Sequence, residues 1–423
     1  MASTTDPSVD HTTESKMATA SVMAAPGLPT AAFKPIIVQS QAMKRKLEHV
    51  DFTPREHLAF EEPESVLMMT DIGFSEDTGV SPVAVSQPFR LFTPECIQKF
   101  RDEVLSEEVL EKCSYKSNLA AMQLRGYAPK YVSLQSNTKI NNTDPSIRYA
   151  PFTHAAWHDP ATLAIVSKIA GVDLIPNMDF EIGHINVSVK SEKQALAERE
   201  AVESSADGSK PWEDDKPVVG WHRDSYPFVC VTMLSDCTNM IGGETALKKA
   251  DGGVLRVRGP GMGCAVVMQG RYITHQALRA LGAQERITMV TSFRPKSPFL
   301  PDDSVLSTVR GISVLSDLYY EFGTYRLEML QERIKAQLKS LKDDRAAGKK
   351  TDTKALKAFL DEQESFVHRT NSEMVRDEDV TEGHQPEMGL EDVKVVDENV
   401  QLTTPPNEEE EVEERDAKRS KVE

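Results

Sequence analysis

The feature that most constrains the fold is a series of short apolar runs between residues 182 and 293, divided by turn-forming residues. Gly242-Gly243, Gly252-Gly253 and Gly259-Pro260 punctuate the series. Runs of this length rich in Val, Ile and Phe are typical of β-strands. Parallel strands need long and usually helical connections, so short strands joined by turns favour an antiparallel sandwich or barrel. The predicted strands are residues 182–189, 218–222, 228–234, 254–257, 264–268 and 287–293.

Helical patterns flank this region, so the predicted fold class is mainly β with flanking helices (α+β). Thr93 before Pro94 has the form of a helix start, and a second helix is predicted over residues 160–170, ending at Gly171. The polar segment 191–216 is predicted to be an inserted loop with some helix. Near the C-terminus an apolar stripe with helical period is expected to pack on the β region, with a coiled coil as the alternative. The stripe consists of Leu315, Leu318, Phe322, Tyr325, Met329, Ile334, Leu338 and Leu341.

The two ends of the chain have compositions that do not support a hydrophobic core. Residues 371–423 contain 18 acidic and 6 basic residues, so this segment carries −12 of the net charge of −17. Such a segment buries too little apolar surface to fold alone. We therefore predict four parts: a disordered segment 1–62, a β domain 63–300 with N-terminal helices, a helical extension 301–370, and an acidic disordered tail 371–423. Both tails are expected to be dispensable for folding.

Composition also narrows the environment and the partners. No run of about 18 apolar residues occurs, which argues against a transmembrane helix, and the N-terminal sequence lacks the pattern of a secretory signal. The five cysteines have neither disulfide nor CxxC spacing, which favours a reducing intracellular compartment. The acidic charge argues against non-specific nucleic-acid binding. A cytoplasmic location is expected, with a nuclear one left open by the basic clusters at residues 44–46 and 418–421.

The strongest chemical signal is the sequence Gly-Trp-His-Arg-Asp-Ser at residues 220–225. Residues two apart in a strand face the same side, so His222 and Asp224 can point together into a cavity. Two ligands are too few for a tight metal site, and the candidate third ligand is His275, 51 residues beyond Asp224. Two histidines and one carboxylate on one face of a metal favour a non-haem Fe(II) oxygenase.

A second pair of residues follows at the same strand spacing. Arg286 and Thr288 lie 11 and 13 residues after His275. A buried guanidinium without an acidic neighbour in sequence invites an anion, and its planar fork matches a carboxylate. Thr288 can donate its hydroxyl to the same carboxylate.

The order His-x-Asp, distal His, then Arg-x-Thr resembles the 2-oxoglutarate- and Fe(II)-dependent dioxygenases, in particular fungal members of that superfamily. The resemblance covers roughly residues 85–300 and implies a double-stranded β-helix (jelly-roll, cupin-like) core. It implies that His222, Asp224 and His275 bind Fe(II), and that Arg286 and Thr288 hold the distal carboxylate of 2-oxoglutarate. With dioxygen as cosubstrate, such an enzyme oxidises an organic substrate, in most cases by hydroxylation, and converts 2-oxoglutarate to succinate and CO2.

Other residues near these motifs have more than one interpretation. Asn186 could bind the cosubstrate or the substrate, or it could form part of the turn at the end of its strand. Tyr226 could line the pocket or belong to the core, whereas Trp221 and Arg223 are expected to pack on the opposite strand face. Arg271, Arg279 and Arg294 compete with Arg286 for the carboxylate, and His154, His158 and His184 are expected to be ordinary hydrogen-bonded residues.

Two functions stay open at this point. The favoured one is an oxygenase acting on a small molecule or a peptide side chain. The alternative is a catalytically inactive β-barrel that serves as a binding or interaction module, possibly in the nucleus. An intact set of His, Asp, His and Arg favours the enzyme, because a protein without catalysis has no physical need for that combination. The sequence does not specify the substrate or the oligomeric state.

Overall fold

The computed structural model describes residues 50–118, 120, 122–128, 149–204, 219–238, 240–257 and 261–385. Strands dominate the middle of the described chain and helices lie on either side of them, which confirms the predicted class. The strands are β1 (Val66–Met68), β2 (Val83–Ser86), β3 (Phe89–Arg90), β4 (Ser114–Tyr115), β5 (Gln123–Leu124), β6 (Leu174–Pro176), β7 (His184–Val189), β8 (Val219–His222), β9 (Phe228–Met233), β10 (Ile241–Gly242), β11 (Thr245–Lys248), β12 (Val254–Val257), β13 (Cys264–Met268), β14 (His275–Ala277), β15 (Ala280–Leu281) and β16 (Glu285–Pro295). The helices are α1 (Pro54–His57), α2 (Pro94–Val104), α3 (Glu107–Lys112), α4 (Pro151–His158), α5 (Pro160–Ala170), α6 (Glu192–Glu203), α7 (Leu315–Ala346) and α8 (Thr353–Glu373).

The described strands form one large sheet, one four-stranded sheet and one two-stranded sheet. The large sheet has the order β1-β2-β13-β9-β16-β7-β5-β4, with β3 paired to β13 and β6 to β16. The four-stranded sheet has the order β12-β11-β14-β8, and β10 pairs with β15. The pairings along these sheets are antiparallel. The chain passes repeatedly between the two larger sheets: β7, β9, β13 and β16 belong to the large sheet, whereas β8, β11, β12 and β14 belong to the four-stranded one.

Two apolar clusters lie on opposite faces of the large sheet. On one face, α2, α4 and α5 pack around Trp157, whose ring makes edge contacts with Phe92 and Phe293 at centroid distances of 5.4 and 5.9 Å. On the other face, residues of β2, β9 and β13 meet Leu247 and Val257 of the four-stranded sheet. The second contact makes the two sheets a sandwich, and the candidate site lies in it.

Helix boundaries follow the capping signals in the sequence. The Thr93 hydroxyl accepts a hydrogen bond from the Cys96 amide at 3.2 Å, at the start of α2. The α5 helix ends at Gly171, whose φ of 70° lies in the left-handed region that favours glycine. Both predicted helices are therefore confirmed, and the predicted insertion contains α6.

The C-terminal apolar stripe packs as predicted along half of its length. Leu318, Phe322, Tyr325 and Met329 of α7 are buried against Met178 and Tyr226 of the β region and against Phe366 of α8. Beyond them, Ile334 and Leu338 are 42% and 50% exposed, so the prediction is wrong for this part of the stripe. The helix continues past the domain surface there, because α7 runs on to Ala346. No described helix combines the length and the apolar character needed to cross a membrane.

Defined structure extends beyond the predicted domain limits at both ends. The α1 helix lies inside the segment predicted to be disordered, and Phe52 stacks on His57. At the other end, Gln385 is buried although it lies in the predicted acidic tail. Apolar and hydrogen-bonded contacts fix both pieces, which composition averaged over a segment does not reveal. The remaining parts of the two predicted tails, with the basic clusters, lie outside the described residues.

Candidate metal centre and adjoining cavity

A cavity of about 170 Å³ lies between the large sheet and the four-stranded sheet. Strand alternation determines its lining, because side chains two apart share a face. Arg286, Thr288, Val290 and Ser292 of β16 all face it, as do His184 and Asn186 of β7. Valine, leucine and methionine side chains supply much of the remaining wall, but more than half of the lining residues are polar or charged. The cavity therefore combines apolar walls with many polar groups.

His222, Asp224 and His275 meet at this cavity. In the sheet register His222 lies opposite His275, and the two rings have a centroid distance of 4.3 Å. The His222 Nε2 atom is 3.7 Å from Asp224 Oδ1, and the His275 Nε2 atom is 3.6 Å from Asp224 Oδ2. One potential ligand atom from each residue lies within 4.8 Å of the others, which suits coordination of a single metal ion.

Backbone contacts set the tautomer of both imidazoles. The Nδ1 atom of His222 lies 2.7 Å from the Gly220 carbonyl oxygen, and that of His275 lies 2.9 Å from the Ile273 carbonyl oxygen. Since a carbonyl oxygen can only accept, Nδ1 donates in each ring and the lone pair is left on Nε2. Both Nε2 atoms face Asp224, so the lone pairs converge on one point. Such contacts to the second nitrogen orient histidine ligands in known metal sites.

The carboxylate of Asp224 is held from behind by a tight backbone contact. The Asp224 amide donates to the Gly270 carbonyl at 2.9 Å. A Cβ atom at position 270 would lie 1.7 Å from Asp224 Oδ2, so the carboxylate occupies space that only a glycine leaves free. Asp224 Oδ2 is buried without a hydrogen-bond partner in the described structure. An unsatisfied buried carboxylate oxygen beside two imidazole lone pairs fits a bound cation.

The electrostatics of the site keep His222 neutral. Burial is the largest cause that lowers the pKa of His222, to about 4, and the neighbouring His275 adds to the effect. Asp224 and the Gly220 contact act in the opposite direction but do not outweigh burial. A neutral imidazole is the form that binds a metal ion.

Arg286 brings a second charge to the same cavity. It is 9% exposed, and its Nε atom is buried without a hydrogen-bond partner among the described residues. Burial lowers the pKa of Arg286 below its ordinary value, although a guanidinium stays protonated at neutral pH. Thr288 lies next to it on the same strand face and is also buried. The predicted neighbours therefore share one wall of the cavity.

Asn186 belongs to a polar network that sequence reasoning did not anticipate. In the sheet it lies between Gln123 and Thr288, and Gln123 Nε2 donates to its side-chain oxygen at 3.4 Å. Gln123 also donates to Gln385 Oε1 at 3.3 Å, and Gln385 Nε2 donates to the Thr308 carbonyl at 2.9 Å. Asn186, Gln123 and Gln385 all line the cavity. The network could not be predicted from the sequence, because Gln385 lies 262 residues from Gln123.

A further polar group of the cavity centres on Glu181. Its carboxylate accepts the Tyr226 hydroxyl at 2.7 Å and pairs with the buried Arg125. Burial, together with this carboxylate, raises the pKa of Tyr226. His184 also lines the cavity, and burial lowers its pKa to about 3. The sequence singled out Tyr226 and indicated no role for Glu181. It predicted an ordinary hydrogen-bonded histidine at His184, but the Nε2 atom of this residue is buried without a hydrogen-bond partner among the described residues.

The alternatives considered from the sequence lie elsewhere. Trp221 lies under the Lys248 ammonium, 4.8 Å from it, and Arg223 donates to the Thr274 hydroxyl at 3.2 Å. Arg271 donates to the Asp303 carbonyl, Arg279 pairs with Glu198, and Arg294 lies over the Tyr325 ring. None of these five residues contributes to the cavity lining, whereas Arg286 does.

Comparisons with known proteins give only distant similarity. No protein-family model and no curated protein matches the sequence. Among solved structures, the chain is similar to an oxidoreductase of the 2OG-Fe(II) oxygenase family from Burkholderia pseudomallei (14% identity, TM-score 0.28, covering 44% of this chain and 76% of that one). It is also similar to a Pseudomonas putida prolyl-4-hydroxylase (12% identity, TM-score 0.25, covering 56% and 99%) and to a non-heme monooxygenase in a nickel complex (15% identity, TM-score 0.24, covering 43% and 76%). Scores this low do not establish a shared fold, and these comparisons do not support the predicted resemblance to fungal proteins in particular. The geometry of the site is therefore the main support for a function.

Proposed function

We propose that the chain is a non-haem Fe(II)- and 2-oxoglutarate-dependent dioxygenase. The observation that carries the proposal is that one cavity combines a His-Asp-His cluster with a buried arginine that has no carboxylate partner among the described residues. The first element suits a divalent metal, and the second suits an organic anion. A cosubstrate that chelates a metal at one end and carries a carboxylate at the other satisfies both.

The strand topology supports a double-stranded β-helix as the core of this enzyme. Strands β7, β9, β13 and β16 of the large sheet alternate along the chain with β8, β11, β12 and β14 of the facing sheet. Such crossing between two antiparallel sheets is the pattern of a jelly roll. The metal candidates lie on the smaller sheet and on the turn that leaves it, facing the larger sheet that carries Arg286.

His222, Asp224 and His275 would hold the iron. Two neutral imidazole nitrogens and one carboxylate form the donor set expected for non-haem Fe(II), and three ligands leave positions open for other molecules. When bound, the iron would supply the activation of dioxygen that accompanies decarboxylation of 2-oxoglutarate. The role of the protein is to fix the ligands through the Gly220, Ile273 and Gly270 carbonyls and to exclude water with apolar walls.

Arg286 would bind the distal carboxylate of 2-oxoglutarate, with Thr288 as a hydroxyl donor beside it. Other deeply buried arginines in the described residues have acidic partners: Arg101 pairs with Glu285 at 2.8 Å and Arg125 pairs with Glu181. Arg286 lies next to Glu285 in sequence but has no such pair in the described part of the chain. A buried charge is costly unless it is paired, so an anionic ligand is the expected partner.

The substrate would enter the same cavity. Its mixture of apolar and polar lining residues suits a small molecule or a single side chain of a peptide. Asn186, in contact with Gln123, offers an amide to either the cosubstrate or the substrate.

The test is calorimetric titration of the Mn2+-loaded protein with 2-oxoglutarate under anaerobic conditions. Loss of one partner of a buried ion pair costs about 3–5 kcal/mol, so Arg286→Ala should weaken binding by roughly two to four orders of magnitude. Arg286→Lys should recover part of the affinity, since it restores the charge but not the fork. Arg279→Ala is the matched control, because Arg279 pairs with Glu198 outside the cavity.

Equal affinity of the wild type and Arg286→Ala for 2-oxoglutarate would overturn the cosubstrate assignment. Metal binding distinguishes the enzyme from an inactive binding module. His222→Ala and Asp224→Ala should each abolish binding of one ion, whereas Arg286→Ala should leave the metal affinity nearly unchanged. Succinate formed by the Fe(II)-loaded wild type, and absent in His222→Ala, would then establish turnover.

A further inference from the structure

The lining of the cavity changes in polarity across the large sheet. Among the described residues, strands β2, β13 and β9 contribute apolar ones to the lining, namely Val85, Val229, Val231, Val266 and Met268. The next three strands in the sheet order, β16, β7 and β5, contribute polar residues, with Val290 as the exception. These polar residues are Gln123, His184, Asn186, Arg286, Thr288 and Ser292. A ligand that fills the cavity therefore meets apolar groups on one side and hydrogen-bonding groups on the other.

A chain of hydrogen bonds fixes the orientation of the Gln123 amide. The Thr308 carbonyl oxygen can only accept, so the side-chain atom of Gln385 that lies 2.9 Å from it is the donor Nε2. The Oε1 atom of Gln385 therefore faces Gln123, and it accepts from Gln123 Nε2 at 3.3 Å. The same Nε2 atom donates to Asn186 Oδ1 at 3.4 Å. Both N–H groups of the Gln123 side chain are thus used within the protein.

The side-chain oxygen of Gln123 is an acceptor that the protein leaves unpaired. Gln123 is 3% exposed, and its Oε1 atom is buried without a hydrogen-bond partner among the described residues. The amide cannot turn over to find one, because its oxygen would then face the oxygens of Gln385 and Asn186. A buried acceptor without a donor is costly, and Gln123 lines the cavity. A ligand with an N–H or O–H group is therefore its expected partner.

We propose, on the basis of the oxygenase function above, that the substrate carries an amide group that binds to Gln123 and Asn186. Gln123 Oε1 accepts from the N–H of the substrate, and the amide nitrogen of Asn186 donates to its carbonyl oxygen. Gln123 lies opposite Asn186 in the sheet register, so an acceptor and a donor stand side by side. An amide presents the complementary pair. The rest of the substrate packs on the apolar wall of β2, β13 and β9.

The charges of the cavity favour a neutral substrate group over an ionised one. The Glu181 carboxylate pairs with Arg125, so its charge is already compensated. Burial lowers the pKa of His184 to about 3, and its ring is therefore neutral at neutral pH. Asp224 and Arg286 have the metal and the cosubstrate as their proposed partners. A neutral group with its own donor and acceptor is what the remaining polar wall can bind.

Titration of the full-length, metal-free protein with benzamide and with acetophenone, followed by ligand-observed NMR, tests the amide contact. The two molecules have nearly the same shape, but acetophenone has a methyl group where benzamide has NH2. Wild type should bind benzamide roughly 10-fold or more tightly than acetophenone, which leaves Gln123 Oε1 unpaired. Gln123→Met, which keeps the length of the side chain, should remove this preference. Gln363→Met is the matched control, because Gln363 is also buried with an unpaired Oε1 atom but lies on α8, outside the cavity lining.

The outcomes separate the amide contact from the proposed enzyme. Equal affinity of the wild type for the two probes, or no binding of benzamide, would overturn the amide contact, and neither result depends on how a variant folds. A preference for benzamide that persists in Gln123→Met would overturn it as well. If the preference depends on Gln123 but the protein binds neither Mn2+ nor 2-oxoglutarate, only the oxygenase proposal fails, and the cavity binds an amide without oxidising it.

Discussion

Replacing Gly270 with alanine should disable the cavity metal centre without unfolding the protein. The new Cβ atom would lie 1.7 Å from Asp224 Oδ2 and 2.7 Å from Asp224 Cγ. These residues cannot separate freely, because the Asp224 amide donates to the Gly270 carbonyl. The carboxylate must therefore rotate away, and His222 and His275 lose the third ligand between them.

The two expected effects of Gly270→Ala differ in size. Inserting a methyl group into a packed site costs about 1–3 kcal/mol, which is below the usual stability of about 5–15 kcal/mol, so the variant should fold. Mutation of groups that only orient a metal ligand typically costs about 10–100-fold in affinity. Here the ligand itself is displaced, so the metal affinity should fall by at least roughly 100-fold.

Anaerobic Fe(II) titration and thermal melting measure these two effects separately. Gly323→Ala is the matched control: it makes the same change in α7, where the nearest atom to the new Cβ would be Met374 Sδ at 3.8 Å. It should keep the metal affinity and raise stability by about 0.5–1 kcal/mol. Unchanged Fe(II) affinity in Gly270→Ala would refute the reasoning, because it would mean that Asp224 is not a ligand.

Two further predictions concern the C-terminal segment and the half-buried carboxyl group of Glu321. A chain ending at residue 370 should melt on the order of 5 °C or more below one ending at 387, since it loses the Glu373–Arg310 ion pair and the Gln385 hydrogen bonds. Glu321→Gln should raise the melting temperature at pH 8 but not at pH 4. Burial, with Asp179, Glu181 and Asp317 nearby, raises the pKa of Glu321 to about 8, although the hydrogen bond from the Phe180 amide opposes this. Between the ordinary carboxyl pKa of 4.5 and a pH of about 8, the folded state binds more protons at Glu321 than the unfolded state does. The free energy of unfolding therefore falls as pH rises through this range.

Each of these predictions has a result that contradicts it. Identical melting of chains ending at 370 and 387, with intact binding of 2-oxoglutarate, would mean that Gln385 is a dispensable part of the wall. For Glu321, a gain in melting temperature that is the same at pH 4 and pH 8 would contradict the raised pKa. Glutamine keeps an oxygen that can accept from the Phe180 amide, so the variant differs from wild type mainly in charge.

The sequence predicted the parts of the fold that depend on local pattern. Long strands with alternating side chains, such as β16, and helices with explicit capping residues, such as α2 and α5, appear where expected. The short strands β11 and β14 were missed, because three or four residues of mixed polarity carry no periodic signal. Their positions depend on partners far away in the chain, which propensity does not encode.

The residues of the candidate site also divide into those that a local pattern predicted and those that depend on contacts between distant segments. The shared orientation of His222 and Asp224, and of Arg286 and Thr288, is a local property of strands and could be inferred. The position of His275 opposite His222 depends on the pairing of β8 with β14, so the sequence could offer it only as a candidate. Gln123, Glu181 and Gln385 reach the cavity through contacts between distant segments, and no pattern around them pointed to that position.

The unpaired polar atoms of the cavity indicate which ligands would stabilise the protein. In the described structure, Asp224 Oδ2 is a buried acceptor, Arg286 Nε a buried donor and His184 Nε2 a buried ring nitrogen, each without a hydrogen-bond partner. A buried polar atom of this kind costs about 1–3 kcal/mol when it is unpaired, so a ligand that pairs with it stabilises the fold. A cation next to Asp224 and an anion next to Arg286 would remove opposite parts of that cost. Neither ion alone removes both, and we therefore expect Fe(II) and 2-oxoglutarate together to raise the melting temperature more than either does alone.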